Sequence, residues 1–487
     1  MLDIKYIREN EEKVRKAIVD KRMTVNIDEL LQLDARRREL LAETESLQAS
    51  KNTFSKEIAK LSEEERKVKI LEMQEIDSRQ TESKKQLREV EHNYENLLLL
   101  VPNVPAPEAP VGPDDSGNVP WSYWSPELGH VDPKDTDKVA QVPTKFTFPV
   151  KDHMALGTEL DLIDVEAGVK TAGFRGYYLK NEAVLLQQAL IWYALKKLQQ
   201  KGFTLMVPPV MVREFALIGS GHFPGGRDEI YQIGNPGDVT GENDNPEKEP
   251  LFLVGTSEPS LLAYYADKIF EEKDLPITVS GLSACYRSEV GSYGKDARGI
   301  YRIHEFQKVE QMVICKASIE ESEKWLEALR ETAEEILQDL KMPYRVLNIC
   351  TGDMGAGKYK MYDIETWMPS REGYGETHSD SSFTDWQARR LNIRYRDSEG
   401  KIQYAYTLNN TAIASPRILI PLLENYQQED GSVAVPEVLR SYLGVDVIKS
   451  KSAEPGKSKE ASTEPVVPVK PNEEKPPQAS ETEKEKK

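Results

Sequence analysis

Between Cys285 and Glu310 the sequence CYRSEVGSYGKDARGIYRIHEFQKVE sets arginine, aromatic and acidic side chains on two strand-like runs around a glycine-bearing loop. Arg287 and Glu289 are two residues apart, so on an extended strand both project from one face. His304, Phe306 and Glu310 lie on the returning run. An arginine fork suits phosphate, a ring suits a nucleobase, and carboxylates suit an ammonium or a hydroxyl. Together these types fit a site for a nucleotide and an amino acid. Plainer alternatives stay open at this point. Arg287 and Glu289 could form a surface ion pair, and Glu310, in an apolar run, could be a buried structural acid. A second candidate, Gly352 to Lys358, reads GDMGAGK like the start of a phosphate-binding loop. Tyr359 follows where a Mg²⁺-binding hydroxyl is needed, and the strand-like YDIETWMP follows where a helix is needed. It is set aside as a phosphate loop.

Rigid elements must hold these residues. ITVSGLSACYRSE, RIHEFQKVEQMVI and YRVLNICT read as strands, and TLMVPPVMV as a β-type run with two prolines. Leu185–Phe203 reads as an apolar helix ending at Gly202, and IEESEKWLEALRETAEEILQDLK as an amphipathic one. Strands that do not alternate regularly with helices predict an α+β domain over residues 116–444, built on a mainly antiparallel β-sheet flanked by helices. Upstream, Leu30, Leu33, Arg37, Leu40, Thr44, Leu47, Lys51, Phe54, Ile58 and Leu61 keep a heptad spacing with polar breaks. A second series runs from Met73 to Val101. The polar SEEERKVKI between them could turn, and VPNVPAPEAPVGP ends the helical pattern. This predicts an antiparallel helical hairpin over about 28–101, reaching about 50 Å at about 1.5 Å per residue. By spacing alone a helical bundle or a dimerising coiled coil also fits. Residues 1 to about 20 read as an added short helix at the base, giving an N-terminal unit of 1–115. From 445 to 487 the chain is rich in Lys, Glu, Pro and Ser without an aromatic residue, which predicts disorder.

The chain has 487 residues and a formal net charge of -18, so any RNA contact must use local basic patches. Three cysteines with no C-x-x-C pair argue against a disulfide framework or a zinc site and fit a reducing cytosol. No apolar run approaches the roughly 18 residues that span a membrane, and the charged N-terminus lacks a signal core. A cytoplasmic protein with no membrane partner is expected.

The Cys285–Glu310 stretch resembles motif 2 of class II aminoacyl-tRNA synthetases, in the bacterial seryl-tRNA synthetase form, through Arg287-Ser288-Glu289, GSYGKDARG and Val309-Glu310. KGFTLMVPPVMV, with Pro209, resembles motif 1, a dimer-interface strand. TSE at Thr256–Glu258 resembles the serine-binding loop. ETHSDSS from Glu376 and DWQARRLNIRYR from Asp385 resemble the later catalytic strand region. TLNNTAIASPRILIPLLENYQ resembles motif 3, with Arg417 at its arginine, and CTGDMG also fits. The resemblance covers residues 1 to about 444.

That resemblance implies a serine–tRNA ligase using ATP and Mg²⁺. Arg287 and Arg417 are the implied catalytic residues, gripping the α-phosphate with the serine carboxylate and the γ-phosphate. Thr256, Ser257, Glu258, Arg287, Glu310, Asn409 and Thr411 are the implied serine site. ATP falls to Arg287, Ser288, Glu289, Ile303, Phe306, Glu376, Thr377, His378, Ser379 and Arg417, with Phe306 stacking on adenine. Glu376 and Ser379 are the implied Mg²⁺ ligands. The implied partners are L-serine, a second copy of the chain through motif 1, and tRNA(Ser), with tRNA(Sec) where it exists. The hairpin meets the tRNA through cations such as Arg36 to Arg38, Lys84, Lys85 and Arg88, and Lys295 and Arg298 meet the acceptor end. Asp28–Leu100 carries 17 acids against 13 bases, so the arm must read tRNA shape through a few local cations. A ligase charging a carrier protein, or a non-catalytic coiled-coil protein with a synthetase-like domain, remain the rival readings.

Overall fold

The N-terminal 20 residues, read above as one helix, form two: α1 (Ile4–Glu9) and α2 (Glu11–Asp20). The computed structural model describes residues 1–57, 62–235, 250–290 and 299–450. Ile58 and Leu61 of the heptad series, Lys295 and Arg298, and the tail from residue 451 lie outside the described residues.

The hairpin is α3 (Ile27–Glu57) and α4 (Glu63–Leu100). SEEERKVKI is not its turn: all but Ser62 of it is helix. The reason is a capping box, in which the Glu65 carboxylate accepts from both the Ser62 backbone N–H (2.9 Å) and its hydroxyl (2.6 Å). Leu30, Leu40, Leu47, Tyr94 and Leu98 fill the seam. The polar breaks pair with one another. Gln80 donates to Gln48 at 2.9 Å, Lys51 donates to Gln80 at 3.3 Å, and Arg37 donates to Glu91 at 3.3 Å. Such paired polar positions fix register at some expense of stability.

The remaining labelled elements, in chain order, are β1 (Val119–Ser125), β2 (Gly129–Val131), α5 (Glu182–Gln200), β3 (Thr204–Met206), α6 (Glu258–Tyr264), β4 (Ile277–Tyr286), β5 (Glu305–Cys315), α7 (Ile319–Asp339), β6 (Tyr344–Asn348), β7 (Lys360–Met368), β8 (Gly373–Thr384), α8 (Trp386–Leu391) and β9 (Tyr406–Ser415). Among the described residues nine strands join in the order β2-β1-β6-β7-β8-β9-β5-β4-β3. Every pairing is antiparallel except β3 with β4. The TLMVPPVMV run is split: Thr204–Met206 joins this sheet and Met211–Arg213 pairs with Leu251–Leu253. Pro208 and Pro209 between them have no N–H for a ladder.

One face of the sheet buries a large apolar core against α5 and α7. On the other face, at its lower end, Met312 packs with Leu261, Leu262 and Ala388 of α6 and α8. The hairpin root joins that side, where Ile7, Val14, Leu30, Tyr94 and Leu98 cluster with Phe383 and Trp386. Buried Lys21 extends this joint by donating to the carbonyls of Gly355 (3.1 Å), Ala356 (3.0 Å) and Lys358 (2.6 Å). Three acceptors match the three N–H groups of an ammonium. Asn103, at the hairpin exit, bonds Gly357 and Phe383 carbonyls of the same region.

The folded body runs past the expected limit at 444. Val447–Ile448 pairs with Val433–Ala434, and Ile448 is buried. These two apolar residues find partners that the composition of the following tail does not offer.

Candidate active site

A cavity of about 290 Å³ opens on the sheet face opposite α7. Alternation along β5 sends Phe306, Lys308 and Glu310 into it. From β9 come Asn409, Thr411 and, beyond a bulge, Ala414; from β8 come Glu376, Thr377, Ser379, Ser381 and Phe383. Thr256 and Glu258 enter at the start of α6, and Arg287 and Glu289 just after β4. Tyr301, Ile303, Arg417, His222 and the Met354–Lys358 loop complete the wall. Gly221 lets the wall close: its φ is +91°, and a Cβ there would lie 2.3 Å from the Trp386 ring.

Most of the expected residues therefore meet in one place, though not always for the expected reason. Arg287 and Glu289 do not alternate on a strand. β4 ends at Tyr286, and Glu289 has a left-handed φ of +54° that turns the chain before the glycine loop. Ser257 and Ser288 do not line the cavity. The Ser257 hydroxyl donates to Gly281 O at 3.4 Å and that of Ser288 to Asp228 O at 2.7 Å. His378 is also turned away. A bulge in β8 brings both Glu376 and Thr377 to the cavity, after which Ser379 and Ser381 face in while His378 and Asp380 face the other side. Burial pushes His378 down to about 4, and Asp380 sits near Arg330 and Glu327 of α7.

Both catalytic candidates are braced. Arg287 donates through Nε to Gly255 O at 3.3 Å, and its Cζ lies 5.3 Å from the Phe306 ring centroid. Arg417 donates to Tyr301 O (3.2 Å) and Glu376 O (3.3 Å), lies 4.4 Å from the Tyr301 ring and pairs with the Glu376 carboxylate at 3.6 Å. The Glu289 carboxylate receives Arg302 at 3.1 Å and Arg175 at 3.3 Å. Two planar cations with cavity between them suit a polyphosphate held at both ends.

Glu376 and Ser379 stand beside Asp363, a residue the sequence reading missed. Asp363 Oδ1 is buried with no hydrogen-bond partner, and burial together with the Glu376 carboxylate holds its carboxyl well above the usual range. Two acids and a hydroxyl form an all-oxygen set that fits a hard divalent cation whose remaining ligands come from phosphate and water. Among the described residues no cluster of three or more His, Cys, Asp or Glu side chains could hold a metal.

The reading also missed Lys308, although its place between Phe306 and Glu310 was visible as strand alternation. The Met354–Lys358 loop, dismissed as a false phosphate loop, does wall the cavity. It follows β6 and leads into β7, so it has no helix N-terminus to offer an anion.

Burial pushes the Glu258 carboxyl up to about 7, against the opposing bond from Gln387 Nε2 at 2.5 Å. A raised carboxyl pKa means that the folded chain retains a proton which the unfolded chain releases near pH 4.5. The stability this gives is complete below about pH 4.5 and is lost as pH rises through about 7. Glu258→Gln should therefore match the parent near pH 4 and exceed it by about 3 kcal/mol at pH 8. Urea midpoints of the ligand-free protein at the two pH values check this; equal midpoint shifts at both would contradict it.

Comparison with known proteins gives the same architecture a family. Residues 1–105 match the seryl-tRNA synthetase N-terminal domain, and residues 240–426 match the tRNA synthetase class II core domain (G, H, P, S and T). The serine–tRNA ligase of Deinococcus radiodurans is 44% identical over 444 residues, covering 91% of this chain and 98% of the relative. That of Rubrobacter xylanophilus is 41% identical over 452 residues, covering 92% and 99%. Among solved structures, seryl-tRNA synthetase from Pyrococcus horikoshii complexed with ATP superposes with a TM-score of 0.80 at 39% identity, covering 92% of this chain and 99% of that one. The cytoplasmic serine–tRNA ligase of Naegleria fowleri in complex with AMP gives a TM-score of 0.75 at 28% identity, covering 93% and 99%. With both halves matched and relatives above 40% identity over nine-tenths of its length, the chain belongs to the seryl-tRNA synthetase family of class II aminoacyl-tRNA synthetases.

Proposed function

We infer that the chain is an ATP-dependent serine–tRNA ligase whose chemistry takes place in the 290 Å³ cavity. The observation that carries this is the convergence of Arg287, Arg417, Glu258, Glu310 and Thr411 on one cavity from four separate stretches of chain. The serine carboxylate attacks the α-phosphorus of ATP, forming seryl-adenylate and releasing pyrophosphate. The 3′-terminal ribose hydroxyl of the tRNA then attacks the acyl carbon and AMP leaves. No side chain acts as a nucleophile. Arg287 neutralises the α-phosphate and the attacking carboxylate, and Arg417 holds the γ-phosphate, so positioning and charge supply the acceleration. Phe306 offers its ring to adenine, flanked by Ile303, and Glu289, fixed by two arginines, reads the adenine edge. Glu376 and Ser379, with Asp363 beside them, would hold a Mg²⁺ ion, which neutralises phosphate charge when bound.

The serine pocket comprises Thr256, Glu258, Glu310, Asn409 and Thr411. Its side chains accept hydrogen bonds from the ligand's ammonium and exchange them with its hydroxyl, so alanine leaves polar groups unpaired. Ser257 supports the pocket from behind through Gly281.

We propose that residues 1–115 act as the tRNA-binding unit and 116–444 as the catalytic unit. Within the arm, Arg36, Arg37 and Arg38 are engaged with Gln86, Glu91 and Asp34. Lys84, Lys85 and Arg88 are exposed, and among the described residues they have no such partner. They are the better candidates for phosphates of tRNA(Ser), and of tRNA(Sec) where one exists. The dimer surface runs over motif 1 and the helices on either side of it, where Trp192, Val207, Met211 and Phe215 are between 46% and 82% exposed. That much exposed apolar area favours a homodimer. No described helix is long and apolar enough to cross a membrane. Incubation with labelled serine, ATP and tRNA(Ser) transcript tests the whole reading. Acid-precipitable serine is the expected result, and serine activation without transfer would restore the carrier-protein ligase.

A further inference from the structure

Two buried carboxylates share the cavity, and one buried ammonium stands with only one of them. Lys308 Nζ lies 2.5 Å from Glu310 Oε2, with the two side chains 8% and 3% exposed. They are two residues apart on β5, so the strand itself holds them on one face. Glu258 arrives from α6 and meets the neutral amide of Gln387 at 2.5 Å. Gln387 is fixed in turn by donating to Ser220 O and accepting from the Thr407 hydroxyl. Among the described residues no Lys, Arg or His makes an ion pair with Glu258. One acid thus has a built-in counter-ion, and the other lacks one until a cationic ligand arrives.

We propose that Lys308 is a specificity-determining positioning residue. It pins the Glu310 carboxylate on its strand face as the acceptor that selects the ligand's side-chain hydroxyl, and leaves Glu258 to receive the ligand's ammonium. This rests on the serine-pocket reading above and assigns separate tasks within it. A buried carboxylate that can only accept demands a donor, and the alanine methyl has none, so the site rejects alanine on the order of 10⁴-fold. Without Lys308, Glu310 loses the cation that fixes its carboxylate on the strand face. A carboxylate free to turn away tolerates a methyl neighbour better, and rejection of alanine weakens. Threonine keeps the hydroxyl and is excluded by shape, so its rejection does not depend on the charge of Glu310.

The charged and titratable groups around Glu310 are Lys308 on its own strand, Glu258 from α6, Cys285 and Arg287 from the end of β4, and His222 and Lys358 from the walls. Asn409 and Thr411 on β9 are neutral. His222 is pushed down to about 4 by burial and the Cys285 thiol is pushed up, so neither changes charge near neutrality. Glu258 does, at about 7. Its charge meets the ammonium of every amino acid alike and cancels from a ratio of two amino acids.

The test is ATP–pyrophosphate exchange with serine, alanine and threonine at pH 6.5 and 8.5. It compares the parent with Lys308→Met, Lys308→Gln and Lys308→Arg. The parent's serine-to-alanine ratio of kcat/KM should hold steady across the two pH values. In Lys308→Met and Lys308→Gln it should fall about 10-fold or more at both pH values. Lys308→Arg should keep the parent behaviour, and the serine-to-threonine ratio should stay within about 2-fold in all. An unchanged serine-to-alanine ratio in whichever neutral variant folds, or a serine-to-threonine ratio that falls with it, would overturn the proposal. A parent that exchanges best with an amino acid other than serine would instead overturn the pocket reading, before any variant is measured.

Discussion

Replacing Arg287 with alanine should lower kcat/KM for serine-dependent pyrophosphate exchange by about 10³-fold or more. The guanidinium lies after the end of β4, anchored to Gly255 O and beside the Phe306 ring, and is proposed to stand where the two reacting groups meet. In the proposed role it neutralises a phosphate and a carboxylate that repel one another as they approach. Arg417 cannot take over, because Tyr301 O and Glu376 hold it at another part of the wall. Arg287→Lys should recover little of the loss, since a point charge cannot bond two anions in one plane. The loss should appear mainly in kcat, with urea midpoints close to those of the parent. Exchange within about 10-fold of the parent would remove Arg287 from the chemistry.

The second large effect concerns the arm, and the fold changes how it must be tested. Removing all of Asp28–Leu100 would strip Leu30, Tyr94 and Leu98 from the cluster that includes Phe383 and Trp386, both of which line the cavity. Exchange would then fall for a reason unrelated to tRNA. A cut from Leu41 to Arg88, bridged by a short glycine-rich turn, spares that root and leaves Arg37 opposite Glu91. Lys21 and Asn103 continue to hold the 355–357 loop. With the arm in its proposed role of placing the tRNA, the shortened protein should keep exchange within about 3-fold of the parent while serine transfer to tRNA falls about 10²-fold or more. Charging near the parent rate would show that the arm does not select the tRNA. A matched fall in exchange would show that the arm reaches further into catalysis than its root contacts suggest.

Much of this site could be read from the sequence because it sits on long strands. Phe306 and Glu310 on β5, and Asn409 and Thr411 on β9, needed only period-two alternation around motif residues. The failures lie where that period breaks. The bulge at Thr377 reverses the parity of β8, so His378, which follows Thr377 in the motif, ends on the face toward α7. No residue type at 376–378 announces an extra residue in the ladder. Glu289 reached the cavity through a left-handed turn rather than a strand. Lys308 was passed over for a different reason: a lysine in a strand ordinarily reaches solvent, and only its burial against Glu310 gives it a task in the cavity. Lys21 was beyond reach, since its partners lie more than 300 residues away in sequence. The hairpin was legible as helix because heptad spacing is a local signal, but its turn was misplaced by one capping box.

The central claim is that this cavity activates serine and no other standard amino acid at a comparable rate. Pyrophosphate exchange measured separately with each of the twenty amino acids tests it most directly. Serine should support exchange, with alanine lower by about 10⁴-fold for want of a hydroxyl. Exchange with a different amino acid and none with serine would contradict the account.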